Sequence, residues 1–293
     1  MYDEIKGGAK MITVSVLNRK GGVGKTTIAS NIVQALGLLE RKVLVIDNDE
    51  QGNMGFSLGL TLVPEINLSN VYKDPSVILK AIYSTRLETV DIIAGSPRLS
   101  LMRPSRNALK DILSNETIKK HYDYCVIDNG PSLDELTLSA VEASSHYIIP
   151  VIPDTFAVQG LISLVKIFEE KEIDTNKIHI LINRYQENML NKMCFDFIVN
   201  TYQSKVLKTK IPNDNALTEM VAKGKCILLS KSTSKSVGPF LELLVELFNF
   251  SVDEMMIKLK DVREKAKREV FEKHLAPRIF RPGQKKTIET RVA

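Results

Sequence analysis

The residues most able to do chemistry lie at positions 18–27, which read Asn-Arg-Lys-Gly-Gly-Val-Gly-Lys-Thr-Thr. Glycines in such a turn let backbone N–H groups approach a bound anion, and the start of a following helix points further N–H groups at it. Lys25 would add a positive charge, and the hydroxyl of Thr26 suits a bound Mg²⁺. The segment therefore predicts a turn that cradles the phosphates of a nucleotide.

The segments on either side of this turn predict the elements that must hold it. Residues 11–18 are largely apolar and β-branched, which is typical of a buried parallel strand. Residues 26–39 carry apolar side chains at helical spacing. We therefore expect a strand, the glycine-rich turn and a helix, in that order.

Two further apolar segments end in carboxylates. Residues 42–49 read Lys-Val-Leu-Val-Ile-Asp-Asn-Asp, and residues 122–128 read Tyr-Asp-Tyr-Cys-Val-Ile-Asp. Carboxylates at strand ends beside a phosphate site can hold Mg²⁺ or position water, as they do in P-loop NTPases. Asp47, Asp49 and Asp128 are therefore candidate functional residues. For Asp47 and Asp49 the alternative is an ordinary aspartate in the turn at a strand end, and their place beside the glycine-rich turn favours the functional interpretation.

The glycine-rich turn departs from the plain P-loop pattern in one respect. Arg19 stands where that pattern has its first glycine, and a second lysine, Lys20, follows it. The run from Lys20 to Thr27 resembles the deviant Walker A box of the ParA/MinD family of ATPases. The resemblance extends over about residues 11–248.

The two acidic segments resemble further motifs of the same family. Residues 47–53 are similar to its Asp-x-Asp-Pro-Gln-Gly-Asn motif, with Glu50 in place of proline. The strand that ends at Asp128 has the form of a Walker B strand and continues Asn-Gly-Pro-Ser. The family usually has x-Pro-Pro-Ser there, so Gly130 departs from the pattern in a segment that resembles a switch loop.

The resemblance implies a catalytic site for ATP and Mg²⁺. Lys20 would reach across a homodimer to the other subunit's phosphates, so that two protomers enclose two nucleotides. Lys25 would bind the phosphates in its own subunit, and Asp49 would orient the attacking water. The residues expected to bind the nucleotide phosphates are Gly21, Gly22, Val23, Gly24, Lys25, Thr26 and Thr27. The residues expected at the metal are Thr26, Asp47 and Asp128.

Two later segments, residues 149–161 and 211–217, are also similar to the family's core. Asn183 and Asp214 carry an amide and a carboxylate that can read the edge of adenine, and Pro212 lies in the same loop as Asp214. Both side chains are equally explained as loop residues that satisfy local hydrogen bonds. Many chromosome-partitioning members carry DNA-binding arginines in this loop, and this chain has none there, which weakens the expectation of a DNA site at Pro212.

Predicted strands and helices alternate along the chain, which favours an α/β fold with a mainly parallel sheet and helices on both faces. The later strands are expected at residues 42–47, 89–94, 124–128, 147–152, 177–183 and 206–211. The later helices are expected at residues 98–119, 134–143, 158–172, 190–203, 216–222 and 236–248. Because ligands of such sheets lie at the carboxyl ends of the strands, the phosphate turn and both acidic motifs should lie together.

The chain changes character after residue 250. Apolar residues recur at three- and four-residue steps from Val252 to Val270, which predicts an amphipathic helix that ends before Pro277. Residues 251–293 hold 12 Lys and Arg against 7 Asp and Glu, so they carry the whole net charge of +5. We therefore divide the chain into an ATPase domain, residues 1–250, and a C-terminal helix with a basic tail, residues 251–293. The charge asymmetry indicates a polyanionic partner.

These features favour a ParA-like partitioning ATPase in which no DNA-binding module fits before the first strand. It would hydrolyse ATP slowly and bind DNA without strong sequence preference as an ATP-bound dimer. A ParB-like centromere-binding partner would stimulate hydrolysis and release it. We expect the protein in the cytoplasm, associated with the nucleoid, because no transmembrane segment or signal peptide is predicted.

Two alternatives compete with this interpretation. A MinD-like membrane-cycling ATPase could use the helix after residue 252 as its anchor, but the helix lacks Trp and a polar tail follows it. An iron–sulfur reductase of the nitrogenase iron-protein type would need cysteines near the phosphate-side ends of the strands. Cys125 lies inside a predicted strand and Cys194 and Cys226 lie elsewhere, and the four histidines are scattered, so no metal cluster is expected.

Overall fold

The computed structural model describes residues 11–229 and 234–273. The strands are β1 (Ile12–Val16), β2 (Val43–Asn48), β3 (Ile82–Ser84), β4 (Val90–Ile93), β5 (Tyr124–Asn129), β6 (His146–Val151), β7 (Ile178–Tyr185) and β8 (Val206–Pro212). The helices are α1 (Lys25–Leu38), α2 (Asn53–Ser57), α3 (Leu68–Lys73), α4 (Ala108–Leu113), α5 (Glu116–His121), α6 (Glu135–Ala143), α7 (Thr155–Glu170), α8 (Met189–Tyr202), α9 (Asn215–Ala222), α10 (Val237–Phe248) and α11 (Val252–Lys273). The predicted α/β class is confirmed.

The strands form one sheet in the order β3-β4-β2-β5-β1-β6-β7-β8. Every pairing is parallel except that of β3 with β4 at one edge. The chain moves from β1 outward on one side and returns to β6 on the other, so the strand order reverses at β1. In open parallel sheets, ligands bind at such a reversal, beyond the carboxyl ends of the strands.

Alternate residues of each central strand pack on opposite faces of the sheet, because side chains in a strand alternate in direction. Val43 and Val45 of β2 face the core formed with α1 and α9–α11. Leu44 and Ile46 face a second core, formed with α3–α6. A third core lies between β6, β7 and the helices α7 and α8. The sheet is therefore covered on both faces, as its near-continuous apolar strands require.

The single helix predicted over residues 98–119 is wrong. The structure has a short 3-10 helix at Pro97–Leu101, followed by two separate helices, α4 and α5. Pro104 cannot continue a helix, because it has no N–H and restricts the residue before it. Asn115 then begins a new helix, because its side chain accepts hydrogen bonds from the N–H groups of Thr117 and Ile118. The sequence analysis also missed β3, α2 and α3, which are short.

The predicted C-terminal helix is confirmed as α11, and it packs against the core. Met255 and Leu259 are only 1% and 3% exposed and join the same apolar cluster as α1. Lys258 forms an ion pair with Glu40, which follows α1. The predicted basic tail lies outside the described residues, and the division of the chain at residue 250 stays a prediction. No helix in the described ranges is long and apolar enough to cross a membrane.

Candidate nucleotide-binding site

The predicted strand, turn and helix correspond to β1, residues 17–24 and α1. Gly22 and Gly24 adopt left-handed backbone conformations, with φ of +74° and +92°. A Cβ on Gly24 would lie 2.5 Å from Nδ2 of Asn183. Glycine is therefore required at position 24 both for its backbone conformation and for the space it leaves.

The predicted phosphate-binding residues lie around the start of α1. Gly21 and Gly22 are exposed, so the turn is open to solvent at these two residues. Val23 is fully buried and anchors the turn to the core. Residues 25–27 form the first turn of α1, whose free N–H groups and helix dipole favour an anion. The arrangement suits the phosphates of a nucleotide.

Two of the predicted carboxylates lie side by side at the end of the sheet. Asp47 of β2 and Asp128 of β5 are directly paired in the parallel register, and both are fully buried. Asp47 accepts hydrogen bonds from the N–H groups of Gly55 (3.1 Å) and Asp49 (3.4 Å). Burial, and then the charge of Asp128, raise the pKa of Asp47 well above its usual value.

Both oxygens of the Asp128 carboxylate are buried and lack a hydrogen-bond partner among the described residues. Burial and the charge of Asp49 raise the pKa of Asp128 to about 7, and the nearby Thr26 hydroxyl and Lys25 ammonium act against that rise. Buried polar groups normally have partners, and carboxylate and hydroxyl oxygens are ligands that Mg²⁺ prefers. The residues present therefore fit a Mg²⁺ ion, with Asp128 and Thr26 able to hold it.

Asp49 follows β2 and is almost buried, although it lies in a turn. Its carboxylate accepts a hydrogen bond from the Gln51 N–H at 3.1 Å. A Cβ on Gly95 would lie 2.4 Å from the carbonyl oxygen of Asp49, and one on Gly130 would lie 3.4 Å from its Oδ1. Gly130, the departure from the family pattern, therefore stands directly beside the carboxylate that is predicted to orient water.

Lys25 places a positive charge among these carboxylates. Burial lowers the pKa of Lys25, and the charges of Asp128 and Asp49 act in the opposite direction. Its ammonium lies 3.5 Å from the carbonyl oxygen of Lys20. Lys25 is thus held over the turn, where the charge of a nucleotide phosphate would complement it.

Lys20 is held within its own chain by a residue that the sequence analysis missed. Its ammonium donates to Oδ2 of Asp154 at 2.7 Å. Asp154 also caps α7 by accepting from the Ala157 N–H at 2.7 Å. Although partial burial acts to raise it, the pKa of Asp154 is lowered by its hydrogen bonds with Lys20 and with that N–H. An aspartate before a predicted helix signals a cap, but its contact with Lys20 has no local signal. The contact of Lys20 across a dimer stays a prediction.

The comparisons with known proteins agree with this geometry. Residues 10–182 match the family described as an AAA domain. The chain is 28% identical over 251 residues to the chromosome partitioning protein ParA of Myxococcus xanthus, covering 80% of this chain and 87% of that protein.

The chain belongs to the ParA/MinD family of P-loop ATPases.

Solved structures share the fold of this ParA/MinD-type ATPase. A putative plasmid partition protein from Borrelia burgdorferi, bound to AMPPNP, has a TM-score of 0.71 at 23% identity, over 82% of this chain and 99% of that one. The septum site-determining protein MinD from Pyrococcus horikoshii, complexed with Mg-ADP, has a TM-score of 0.68 at 24% identity, over 81% of this chain and 96% of that one. The first of these two neighbours thus binds a nucleotide analogue, and the second binds a nucleotide with Mg²⁺.

Asn183 of this ParA/MinD-type ATPase lies beneath the phosphate turn. Its Nδ2 donates to the carbonyl oxygen of Val23 at 2.7 Å, while its Oδ1 is buried with no hydrogen-bond partner among the described residues. The amide therefore braces the turn. Its predicted contact with adenine stays a prediction, for which Oδ1 is an acceptor without a partner among the described residues.

Asp214 follows Pro212, the last residue of β8, and ties together the segments around it. Its Oδ1 accepts from the Ala216 N–H at 3.0 Å and so caps α9. Its Oδ2 accepts from the hydroxyls of Ser234 (2.7 Å) and Ser236 (3.0 Å). Partial burial acts to raise the pKa of Asp214, and these hydrogen bonds lower it. Both oxygens are thus already bonded, which is the structural role that the sequence analysis left open; the adenine contact of Pro212 and Asp214 stays a prediction.

Proposed function

We propose that this ParA/MinD-type ATPase is an ATP-dependent DNA-partitioning switch. It binds ATP with Mg²⁺, closes into a homodimer around two nucleotides, and binds DNA without strong sequence preference in that state. Hydrolysis, stimulated by a ParB-like centromere-binding protein, returns it to the released state. This switch works in the cytoplasm, on the nucleoid.

The proposal rests on the Asp128 carboxylate, which lies beside the glycine-rich turn and has no hydrogen-bond partner among the described residues. A buried carboxylate without a partner is costly unless a ligand completes it. Bound Mg²⁺ would neutralise charge on the phosphates during their transfer. Asp128 and Thr26 would hold the ion, and Asp47, paired in register with Asp128, would shape the end of the sheet around it.

The other predicted catalytic residues have separate tasks in this proposal. Lys25 binds the phosphates of its own subunit. Asp49, next to Gly130, orients the attacking water. Lys20 leaves Asp154 and reaches the phosphates of the other subunit, where its charge acts on the transition state, as trans arginine fingers do elsewhere.

The packing of α11 supports DNA over a membrane as the partner. A membrane anchor needs a free apolar helix face. Met255 and Leu259 are buried against the protein's own core, so the apolar face that they form is not free, whereas Val252, Met256 and Ile257 of the same helix are exposed. The excess of basic residues after residue 250 instead complements a polyanion.

Sedimentation with DNA and with anionic liposomes, each with ATP and with ADP, tests the proposal. We expect the protein to pellet with DNA in ATP, not in ADP, and not to pellet with liposomes. Pelleting with liposomes in ATP would instead support the MinD-like alternative. DNA binding that is the same in ATP and ADP would contradict the switch.

A truncation that ends at residue 274 tests the role of the C-terminal segment in DNA binding. It removes five basic residues and one acidic residue. We expect weaker DNA binding, with the log–log salt slope smaller by about 0.9 for each DNA phosphate that the truncated protein no longer neutralises. ATP affinity should not change, because the removed segment lies outside the nucleotide-binding motifs. An unchanged salt slope would exclude the segment as the part of the protein that binds DNA.

A further inference from the structure

The two strands that carry the buried aspartates end in the same four residues. β2 ends Val45-Ile46-Asp47-Asn48, and β5 ends Val126-Ile127-Asp128-Asn129. The sheet pairs these tetrapeptides residue for residue, so that Asp47 lies opposite Asp128 and Asn48 lies opposite Asn129. Repetition of the aspartates is explained by the metal site, but repetition of the asparagines is not.

The asparagines point away from the aspartates, because successive side chains of a strand alternate between the two faces of the sheet. Both are buried on the face that packs against α3–α6. Nδ2 of Asn48 donates to Oδ1 of Asn129 at 2.9 Å. Nδ2 of Asn129 in turn donates to the carbonyl oxygen of Val16 in β1 at 3.1 Å. One chain of amides therefore ties together the three strands that carry the phosphate turn and both acidic motifs.

Asn48 also reaches beyond the sheet. Its Nδ2 makes a second hydrogen bond, to the carbonyl oxygen of Leu136 in the first turn of α6, at 3.0 Å. Its Oδ1 accepts from the hydroxyl of Tyr72 in α3 at 3.1 Å. The carbonyl oxygens of Val16 and Leu136 can only accept, so the orientation of both amides is determined.

The contact with Leu136 links the two loops of the site. Residues 130–134 connect Asp128 to α6, and residues 49–52 connect Asp47 to α2. These loops meet where Gly130 lies against the carboxylate of Asp49. A movement of α6 relative to β2 would therefore change the hydrogen bond between Asn48 and Leu136, and with it the distance between Asp49 and the loop at Gly130.

We propose that the Asn48–Asn129 pair positions the two acidic loops relative to each other and sets the place of Asp49 for hydrolysis. Leucine or isoleucine at these positions would continue the apolar strands into the same core. Burying two amides costs free energy unless their hydrogen bonds are satisfied. Here the hydrogen bonds of Asn48 and Asn129 fix the position of one side chain relative to the other. Both asparagines are positioning residues, since they act through Asp49 and the loop after Asp128.

The mildest test removes a single hydroxyl from the pair's surroundings. Tyr72→Phe deletes the donor to Asn48, and Tyr122→Phe is its matched control. The Tyr122 hydroxyl is buried on the same face and donates to Asp91 at 2.9 Å, near the amino ends of the strands. We expect Tyr72→Phe to lower ATP turnover at least about threefold with ATP affinity within about twofold, while Tyr122→Phe leaves both unchanged.

Variants of the pair itself sharpen the test. Asn48→Leu and Asn129→Leu should each lower turnover at least about tenfold, with ATP affinity again nearly unchanged. The double variant should be no slower than the slower single variant, because residues that act as a unit are not additive. A purely structural role would instead lower the melting temperature of all these proteins without this split between turnover and affinity.

The outcomes separate this inference from the proposed function, whose ATPase chemistry it uses. If the parental protein hydrolyses ATP and the two tyrosine variants behave alike, the positioning role is overturned and the ATPase stands. If the parental protein itself does not hydrolyse ATP, both are overturned. Additive losses in the two asparagine variants would also contradict a pair that acts as one unit.

Discussion

The polar side chains at the two ends of the central sheet differ in whether they have hydrogen-bond partners. At the amino ends, the half-buried rings of His146 and His179 share a hydrogen bond of 3.0 Å, and the buried Tyr122 hydroxyl donates a hydrogen bond to Asp91. At the carboxyl ends, the oxygens of Asp128 and Oδ1 of Asn183 are buried, and nothing in residues 11–229 and 234–273 donates to them. A fold that satisfies one end by itself and leaves the other incomplete indicates where a ligand contributes to the structure.

This contrast predicts that substitutions at the carboxyl end change binding and turnover, whereas substitutions at the amino end change stability. The sharpest expectation concerns Lys25→Ala, which removes the charge above the carboxylates. ATP affinity should fall at least about 100-fold, because the variant cannot form a charge-assisted hydrogen bond to phosphate. Calorimetric titration with ATP and Mg²⁺ measures this fall.

The control for Lys25→Ala is Lys177→Ala at the amino end. Lys177 donates to the carbonyl oxygen of Ser144 at 3.2 Å and lies far from the turn. Its removal should leave ATP affinity unchanged. Equal ATP affinities in the two variants would contradict the assignment of the P-loop. They would also contradict the expected difference in ATP binding between the carboxyl and amino ends of the sheet.

Lys20 and Asp49 should separate dimer formation from hydrolysis within the carboxyl end. Lys20→Ala should bind ATP but form no stable dimer, because its proposed contact is made in the other subunit. Asp49→Ala should keep the ATP-bound dimer and lose turnover at least about 100-fold. Size-exclusion chromatography with ATP, combined with phosphate release, measures both. The same elution profile for the parent and both variants would exclude the sandwich dimer.

The packing of α11 near the amino end should matter for stability alone. Leu259→Ala removes a buried side chain and should cost about 2–5 kcal/mol of unfolding free energy. Ile257→Ala, on the same helix but 63% exposed, should change it by less than about 0.5 kcal/mol. Urea unfolding compares the two. Equal effects would show that α11 does not pack on the core in solution, and would favour its availability as an anchor.

The histidine pair predicts a dependence of stability on pH. Burial, and then the charge of His146, lower the pKa of His179 from 6.5 to about 4, while Glu246 acts to raise it. The pKa of His146 is also lowered, by burial and by Lys177. Between these values the unfolded chain binds more protons than the folded one. Stability is therefore complete above about pH 6.5 and falls as the pH drops towards 4.

His179→Gln should reduce this fall in stability while keeping a polar side chain beside His146. The parent should lose about 2 kcal/mol more than the variant between about pH 7.5 and about pH 5. Urea unfolding at the two pH values measures the difference. Identical losses would show that His179 does not remain neutral in the folded state.

Local patterns in the sequence were sufficient for most elements and for the core of the site. The glycine-rich turn, its flanking strand and helix, and the strand ends at Asp47 and Asp128 follow from residue types and periodicity over short windows. The long helix over residues 98–119 was predicted wrongly, although Pro104 and Asn115 were both visible. There, the apolar spacing favours one continuous helix, whereas Pro104 ends a helix and Asn115 begins a new one.

The chemistry of each side chain and the spacing within a motif are local properties, so residue types alone are enough to predict which residues bind phosphate and metal. Which of these residues lie close together depends on the tertiary structure. The pairing of Lys20 with Asp154, 134 residues apart, and the alignment of Asn48 with Asn129, 81 residues apart, depend on strand order and register. Those are set by the packing of the whole sheet, in which many weak contacts act together, and no short stretch of sequence carries that information.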